Sequence, residues 1–344
     1  MGVGVVVLGA SGFAGGELLR LLAGHTGMEL VAAAASKQTG RRLGDLYPGL
    51  GYAEDLEFYS VEDALRVGSD LIFSSLPFGH SAELFGQADA RKIVDISADF
   101  RLKDAAAYEQ WYGQKHLAPD DLSRWVCGLT EFHRGEIRTA TRVANPGCYP
   151  TAALLALVPL LKSGLIGNEG IHIDAMSGVS GAGRASAEGF DYSSANENVR
   201  PYAVVGHKHI PEIEQELGRV AGSEIKVGFV PHLVPMTRGI LATCSAPAAP
   251  GVDQDALLDA YRTSYGGEVF VRVLDDGQLP ETKRLSGTNF AEVTARLDAR
   301  VGRVIAFCAI DNLGKGAAGQ ALQNANLMFG FKETEGLEAM AVTP

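Results

Sequence analysis

The residues best suited to chemistry in this sequence are one cysteine and two histidines. Cys148 lies in "ANPGCYPTAALLAL" (144–157), a turn-like NPGCYPT followed at once by an apolar run. Pro150 suits the first position of a helix. This predicts a helix over Thr151–Lys162, with Cys148 at or just before its N-terminus. The partial positive charge of a helix N-terminus stabilises a thiolate, the nucleophilic form, and lowers the thiol pKa. Backbone N–H groups there can also stabilise an oxyanion on an attacked carbonyl. The other cysteines, Cys127, Cys244 and Cys308, sit in apolar runs ("WVCGL", "ILATCSA", "VIAFCAID"), where packing is the expected role. A thiolate nucleophile needs an acid/base partner. The segment "VVGHKHIPEIEQEL" offers His207 and His209, just before a helix expected to start near Pro211. Either can serve; His232, in "VPHLVP", is a weaker candidate. No third ligand of metal-site spacing accompanies the pair, so no metal is expected.

A second chemical signal stands at the start. "VVVLGASGFAGGELLRLL" places Gly9, Gly12 and Gly15 between a strand and a helix. The spacing G-x-x-G-x-x-G departs by one residue from the usual dinucleotide fingerprint, but the demands are the same. One glycine permits the tight turn, another lets the backbone approach a pyrophosphate, and the helix N-terminus offers N–H groups to its charge. The second strand ends in "AAAASKQTGRR", with Ser36 and Lys37 where an NAD site would carry an acid, and with Arg41 and Arg42 following. A neutral or basic end favours a 2′-phosphate, so NADP(H) is the expected cofactor.

These residues need a scaffold, and the apolar patterning supplies one. Val3–Leu8, Glu29–Ala35, Asp70–Ser75 and Lys92–Ser97 are continuous apolar runs without in/out alternation, which predicts parallel strands covered on both faces. Beyond Cys148 the pattern changes. A helix is followed by strand candidates at 170–176, 225–230, 239–245 and 304–310, and by a last helix over Lys315–Phe329. The expectation is an α/β chain of two domains: a Rossmann-like dinucleotide-binding domain, 1–147 with 315–344, and an α+β catalytic domain, 148–314. With 344 residues and 46% hydrophobic content there is ample material for two cores. A net charge of −11 gives no footprint for nucleic acid. The N-terminal stretch has no basic leader, and no apolar run is long enough for a bilayer, so a soluble cytoplasmic protein with no membrane partner is expected.

Seven motifs, in order along nearly the whole chain, carry a family resemblance. "GASGFAG", "SADFRL", "NPGCYPTA", "SGVSGAGR", "GHKHIPEI", "VPHLVPMTRGI" and "AIDNLGKGAAGQALQN" together resemble the N-acetyl-gamma-glutamyl-phosphate reductase family of arginine biosynthesis. The resemblance implies a fold related to aspartate-semialdehyde dehydrogenase, NADPH, and a homodimer or homotetramer. It implies that Cys148 is the nucleophile, that His207 or His209 is the acid/base, with His207 the first choice, and that Glu212 supports it. Gly9, Ser11, Gly12, Phe13, Ala14, Ser36, Arg41, Leu76 and Pro77 would hold the cofactor, with Gly178, Ser180, Gly181 and Asn312 on its nicotinamide side. Arg101, Asn145 and Arg184 would bind the small-molecule substrate, since an arginine fork matches carboxylate and phosphate geometry. Two other readings compete. One is a related reductase of lysine biosynthesis that takes an aminoadipyl phosphate on an acidic carrier protein; the other is a non-enzymatic NADP(H)-binding regulator on the same fold.

Overall fold

A computed structural model describes residues 2–85, 91–184 and 192–341. The chain forms two compact units. The first comprises 1–146, 183–185 and 317–339; the second comprises 147–182, 186–316 and 340–344.

The first unit is built on a seven-stranded, all-parallel sheet. Its strands are β1 (Val3–Leu8), β2 (Met28–Ala34), β3 (Phe58–Tyr59), β4 (Leu71–Ser74), β5 (Lys92–Asp95), β6 (Val126–Cys127) and β7 (Arg142–Ala144), in the order β3-β2-β1-β4-β5-β7-β6. Val5–Leu8 and all of β4 are buried, as expected of strands covered on both faces. The helix Phe13–Leu22 follows β1 directly. The C-terminal helix Gly319–Phe329 also belongs to this unit and packs on the helices Thr130–Thr139 and Phe13–Leu22.

The second unit holds a seven-stranded mixed sheet. Its strands are β8 (Ile171–Ser177), β9 (Arg200–Pro201), β10 (Val227–Leu233), β11 (Ile240–Pro247), β12 (Val271–Val273), β13 (Ala291–Asp298) and β14 (Arg303–Ile310), in the order β12-β13-β14-β11-β8-β10-β9. Here the strands alternate. Ile171, Ile173, Ala175 and Ser177 of β8 are buried, while His172 and Met176 are exposed. β11 alternates in the same way, so one face is covered and the other is partly open. The helix Cys148–Lys162 packs against β11, β14 and the helices Ile210–Ala221 and Gln254–Tyr265. Tyr149 through Leu160 are all buried, so this helix is apolar all round because it is enclosed all round.

Pro159 lies inside that helix. It has no N–H for the carbonyl of Leu155, and its ring crowds that carbonyl. The Tyr265 hydroxyl donates to the Leu155 carbonyl at 2.7 Å, and the Tyr261 hydroxyl donates to the Ala156 carbonyl at 2.6 Å. Two hydroxyls from the neighbouring helix thus repair the ladder that the proline breaks.

Candidate active site

The helix that carries Cys148 starts earlier than the sequence suggests. Cys148 is its first residue and Gly147, extended at φ −66° and ψ 153°, is its N-cap, so Pro150 occupies the third position and not the first. The first-turn N–H groups have no partner within a helix, so a proline costs nothing at any of these positions. Cys148 is half-buried at this N-terminus. Cys244 and Cys308 are fully buried, and burial, aided by the Asp174 charge, pushes the Cys244 thiol up. Cys127 is half-buried at the edge strand β6.

The Gly147 N–H donates to Oε1 of Glu212 at 2.8 Å. Glu212 is 3% exposed and sits in the first turn of the helix Ile210–Ala221. The sequence expectation gave this carboxylate a supporting role beside the histidine; here it anchors the turn that presents the thiol. A carboxylate at a helix N-terminus is electrostatically favourable.

His207 and His209 share a pocket of aromatic rings. Their ring centroids are 4.8 Å apart, and the Tyr149 ring lies 5.4 Å from His207 and 5.8 Å from His209 in edge-on contacts. Tyr202 (5.7 Å) and Phe229 (5.3 Å) complete the surround of His207. Nδ1 of His207 accepts the His209 backbone N–H at 3.1 Å. Burial, reinforced by the neighbouring Lys208 charge, takes the His207 pKa down to about 4. The Tyr149 and Tyr202 hydroxyls are 2.8 Å apart. Burial drives both phenols up, Tyr202 to about 12, and the Cys148 charge contributes to each. The hydroxyl pair therefore lies within electrostatic reach of the thiol. His232 is outside this cluster: it sits three residues from Phe229 on β10, and successive strand residues alternate faces.

A further wall of the thiol comes from the turn Gly314–Ala318, a π turn. A Cβ at Gly316 would lie 2.8 Å from the Cβ and 3.3 Å from the Cα of Cys148, and one at Gly314 would overlap the Thr288 carbonyl. The buried carboxylate of Asp311 shapes this turn. It accepts from the N–H groups of Leu313 (2.8 Å) and Gly314 (2.9 Å) and, one oxygen each, from Nε and Nη2 on one edge of the Arg238 guanidinium at 2.9 and 3.1 Å. Tyr149, Tyr202, Gly316, Asp311 and Arg238 were not singled out from the sequence. Only Tyr149 had a local signal, its place one residue after the cysteine.

In the first unit the three glycines divide their work. Gly9 has φ +75°, and a Cβ there would overlap the Ser75 carbonyl at the end of β4; a Cβ at Gly15 would overlap the Gly9 carbonyl. Both are packing requirements. Gly12 is the N-cap of the helix Phe13–Leu22, with no side-chain cap, and a Cβ there would meet only the Gly9 carbonyl at 3.3 Å. The backbone around Ser11, Gly12, Phe13 and Ala14 thus offers first-turn N–H groups to an anion, and Leu76 and Pro77 follow the neighbouring strand β4. These residues fit a dinucleotide pyrophosphate. Ser36 is exposed just beyond β2. Arg42 pairs with Asp55, whereas the guanidinium of exposed Arg41 bonds, among the described residues, the Gln38 side chain at 2.8 Å.

The substrate assignments fare differently. Asn145 is fully buried; its amide donates to the Ala317 carbonyl at 3.1 Å and its oxygen accepts from Asn324 at 3.1 Å. It is a scaffold residue with no surface for a substrate, because the end of β7 must be pinned where the chain turns toward the cysteine. Arg184 lies over the rings of Phe13 (5.0 Å) and Tyr47 (5.8 Å), which places it on the glycine turn within the first unit. Arg101 donates to the carbonyls of Asn145 (2.9 Å) and Ile96 (2.7 Å), bracing the same loop. In the second unit, Asn312 accepts the Gly239 N–H at 2.7 Å and donates to Ser180 Oγ at 2.9 Å. Gly178 and Gly181 lie beside them, and a Cβ at Gly178 would press on the Thr237 backbone at 2.8 Å.

Comparison with known proteins fits this arrangement. The semialdehyde dehydrogenase NAD binding domain family matches residues 4–140, and the semialdehyde dehydrogenase dimerisation domain family matches residues 148–312. An N-acetyl-gamma-glutamyl-phosphate reductase of Pelotomaculum thermopropionicum is 46% identical over 351 residues, covering 100% of both chains. The chain belongs to the N-acetyl-gamma-glutamyl-phosphate reductase family. Within that family, a probable chloroplastic N-acetyl-gamma-glutamyl-phosphate reductase of Arabidopsis thaliana is 47% identical, over 96% of this chain and 83% of the relative. The family fold extends to aspartate semialdehyde dehydrogenase II of Vibrio cholerae, complexed with ASA (TM-score 0.73, 18% identity, 96% of this chain and 99% of that one). It also extends to the Candida albicans aspartate semialdehyde dehydrogenase with NADP (TM-score 0.65, 18% identity, 95% and 98%). No helix among the described residues is long and apolar enough to cross a membrane.

Proposed function

We propose that this chain reduces N-acetyl-L-glutamyl 5-phosphate to N-acetyl-L-glutamate 5-semialdehyde and phosphate, in arginine biosynthesis, through a thioester on Cys148. The observation that carries the reading is the half-buried thiol at the first position of a helix, in one unit with a histidine pair enclosed by Tyr149 and Tyr202. The thiolate attacks the acyl carbon, a C–S bond forms, and the C–O bond to phosphate breaks. Covalent capture turns one hard displacement into two easier steps. Bound NADPH supplies the hydride that reduces the thioester. As the C–S bond breaks, the aldehyde leaves and the thiolate returns. The histidine pair manages the proton on sulfur and oxygen.

The cofactor preference rests on Ser36 and Arg41 beyond β2. In the reverse direction, with semialdehyde and phosphate, kcat/KM for NADP⁺ should exceed that for NAD⁺. Arg41→Ala should narrow the ratio by about tenfold, the size of one charge-assisted contact of ~1.5 kcal/mol. A wild-type preference for NAD⁺ would remove the assignment, and turnover only of a carrier-bound substrate would replace the reaction.

The partly open face of the second unit carries His172, Met176, Leu241 and Phe307. We infer that a second copy of the chain covers it, as the name of the matching dimerisation domain suggests. Light scattering should give a dimer or tetramer, with Met176→Asp shifting it toward monomer; a wild-type monomer at micromolar concentration would count against this.

A further inference from the structure

We propose that the loop 203–206 is a spring-loaded cover for the acyl-enzyme: its tip, Val204 and Val205, folds over the acyl chain on Cys148 and keeps water from the thioester until hydride arrives. This rests on the thioester reading above. The backbone carries the spring. Glu197, Ala203 and Val205 have φ of +55°, +44° and +56°, and among the described residues they are the only non-glycine positions in the left-handed region. A branched side chain such as valine is seldom found there, because its methyl groups crowd the backbone. Such a conformation persists only where the surroundings impose it, and a return to negative φ relieves it. Ala203 and Val205 flank Val204, so relaxing them re-aims that residue.

The tip is apolar and faces water. Val205 is 86% exposed and Val204 47% exposed. Both ends of the loop are fixed beside the cysteine. On one side the Tyr202 N–H donates to the Pro231 carbonyl at 3.1 Å, and the Tyr202 hydroxyl meets that of Tyr149, the residue after Cys148, at 2.8 Å. On the other side the His207 ring packs against Tyr149 (5.4 Å) and Phe229 (5.3 Å). Between these anchors the Gly206 N–H donates to the Ala203 carbonyl at 3.2 Å and closes a four-residue turn. The loop is therefore a short flap between two posts, and both posts stand on Tyr149.

A thioester on Cys148 is open to two attackers. Hydride adds to the acyl carbon, the C–S bond breaks, and the aldehyde leaves. Water adding to the same carbon breaks the same C–S bond, but it yields the free carboxylic acid and wastes the acyl phosphate with no NADPH oxidised. Closure over a bound intermediate suppresses that side reaction. Two valines suit the task, because they exclude water and carry no group that could activate it. The methylenes of the bound acyl chain offer the apolar surface that favours closure, and release of the left-handed strain adds to it.

The test measures phosphate release and NADPH oxidation together, with the full chain acting on N-acetyl-L-glutamyl 5-phosphate and the uncatalysed release subtracted. The wild-type chain should release one phosphate for each NADPH oxidised. Val204→Ser should release phosphate in excess and raise KM for the acyl phosphate roughly tenfold, the equivalent of one valine side chain left in water. Val205→Asn should act in the same way. It should also raise the unfolding temperature by about one to three degrees, because asparagine tolerates the left-handed region without loosening the unfolded chain as glycine would. Val205→Ile, which keeps the branched tip and the strain, should hold the wild-type ratio and unfolding temperature. One phosphate per NADPH in both Val204→Ser and Val205→Asn, or an unfolding temperature that Val205→Asn leaves unchanged or lowers, would overturn the proposal. A change of mass in light scattering with no change of ratio would overturn it too, and would give the tip to a neighbouring copy. No phosphate release by the wild-type chain, with or without NADPH, would sink the functional reading and the cover with it, while the unfolding temperatures would still report the strain.

Discussion

Cys148→Ser should lower turnover by on the order of 10⁴-fold or more, the scale of losing a covalent nucleophile. The serine hydroxyl fits the same half-buried space but does not ionise near neutrality, so the helix N-terminus has no anion to stabilise. The expected loss is therefore in kcat with folding intact. Thermal unfolding should move by only a degree or two, and cofactor binding at the Gly9–Ala14 turn should persist. Iodoacetamide near neutral pH should label Cys148 first and abolish activity, with substrate protecting it. Cys244 and Cys308 are fully buried and should stay unmodified. Near wild-type turnover of Cys148→Ser with NADP⁺, semialdehyde and phosphate would end the thioester mechanism.

The second large effect concerns Gly316, a residue with no chemistry of its own. Its Cα faces the Cys148 side chain so closely that an alanine methyl would stand 2.8 Å from the cysteine Cβ. The turn cannot back away, because Gly316 donates to the Asp311 carbonyl at 2.9 Å, the Asp311 carboxylate is held by Arg238, and Gly314 is pressed on Thr288. The cysteine must move. A displacement approaching 1 Å at a reacting atom costs roughly 10²-fold in rate. Gly316→Ala should therefore lose about that much kcat/KM and slow the alkylation of Cys148, with unfolding temperature falling by only a few degrees. If alanine were tolerated with full activity, the turn would be softer than its hydrogen bonds imply.

Much of this frame could be read before any coordinates. β1 matched its apolar run residue for residue, and β2, β4, β8 and β14 lay within a residue or two. Continuous versus alternating burial separated the parallel sheet from the half-open one. β3, β6, β9 and β12 are two or three residues long, too short to show a period, and exist because a neighbouring strand offers them an edge. The helix that carries Cys148 begins three residues before the expected Thr151, because proline is tolerated through the first turn and Pro150 does not mark its first position. Of the candidate site, the features with a local sequence signature were legible: the glycine turn between β1 and the first helix, Cys148 at a helix start, and a histidine pair just before another helix. The burial of Asn145 and the seat of Arg184 on the Phe13 and Tyr47 rings were not legible, since a buried amide and a ring-stacked guanidinium look in sequence like any other polar residue. Tyr202 joins the Tyr149 hydroxyl, and Arg238 and Asp311 hold the turn beside Cys148, from distant strands and loops, and no spacing announces them.

Pro159 gives the helix Cys148–Lys162 a kind of detent. With the Leu155 and Ala156 carbonyls gripped by Tyr265 and Tyr261, the helix cannot slip along its axis or rotate about it without releasing both. A regular ladder would have left those two carbonyls bonded within the helix, and its position fixed by side-chain packing alone. The break puts a mechanical stop about two turns behind the thiol. The depth at which Cys148 stands is thereby set from the rear of the helix, by two buried tyrosines.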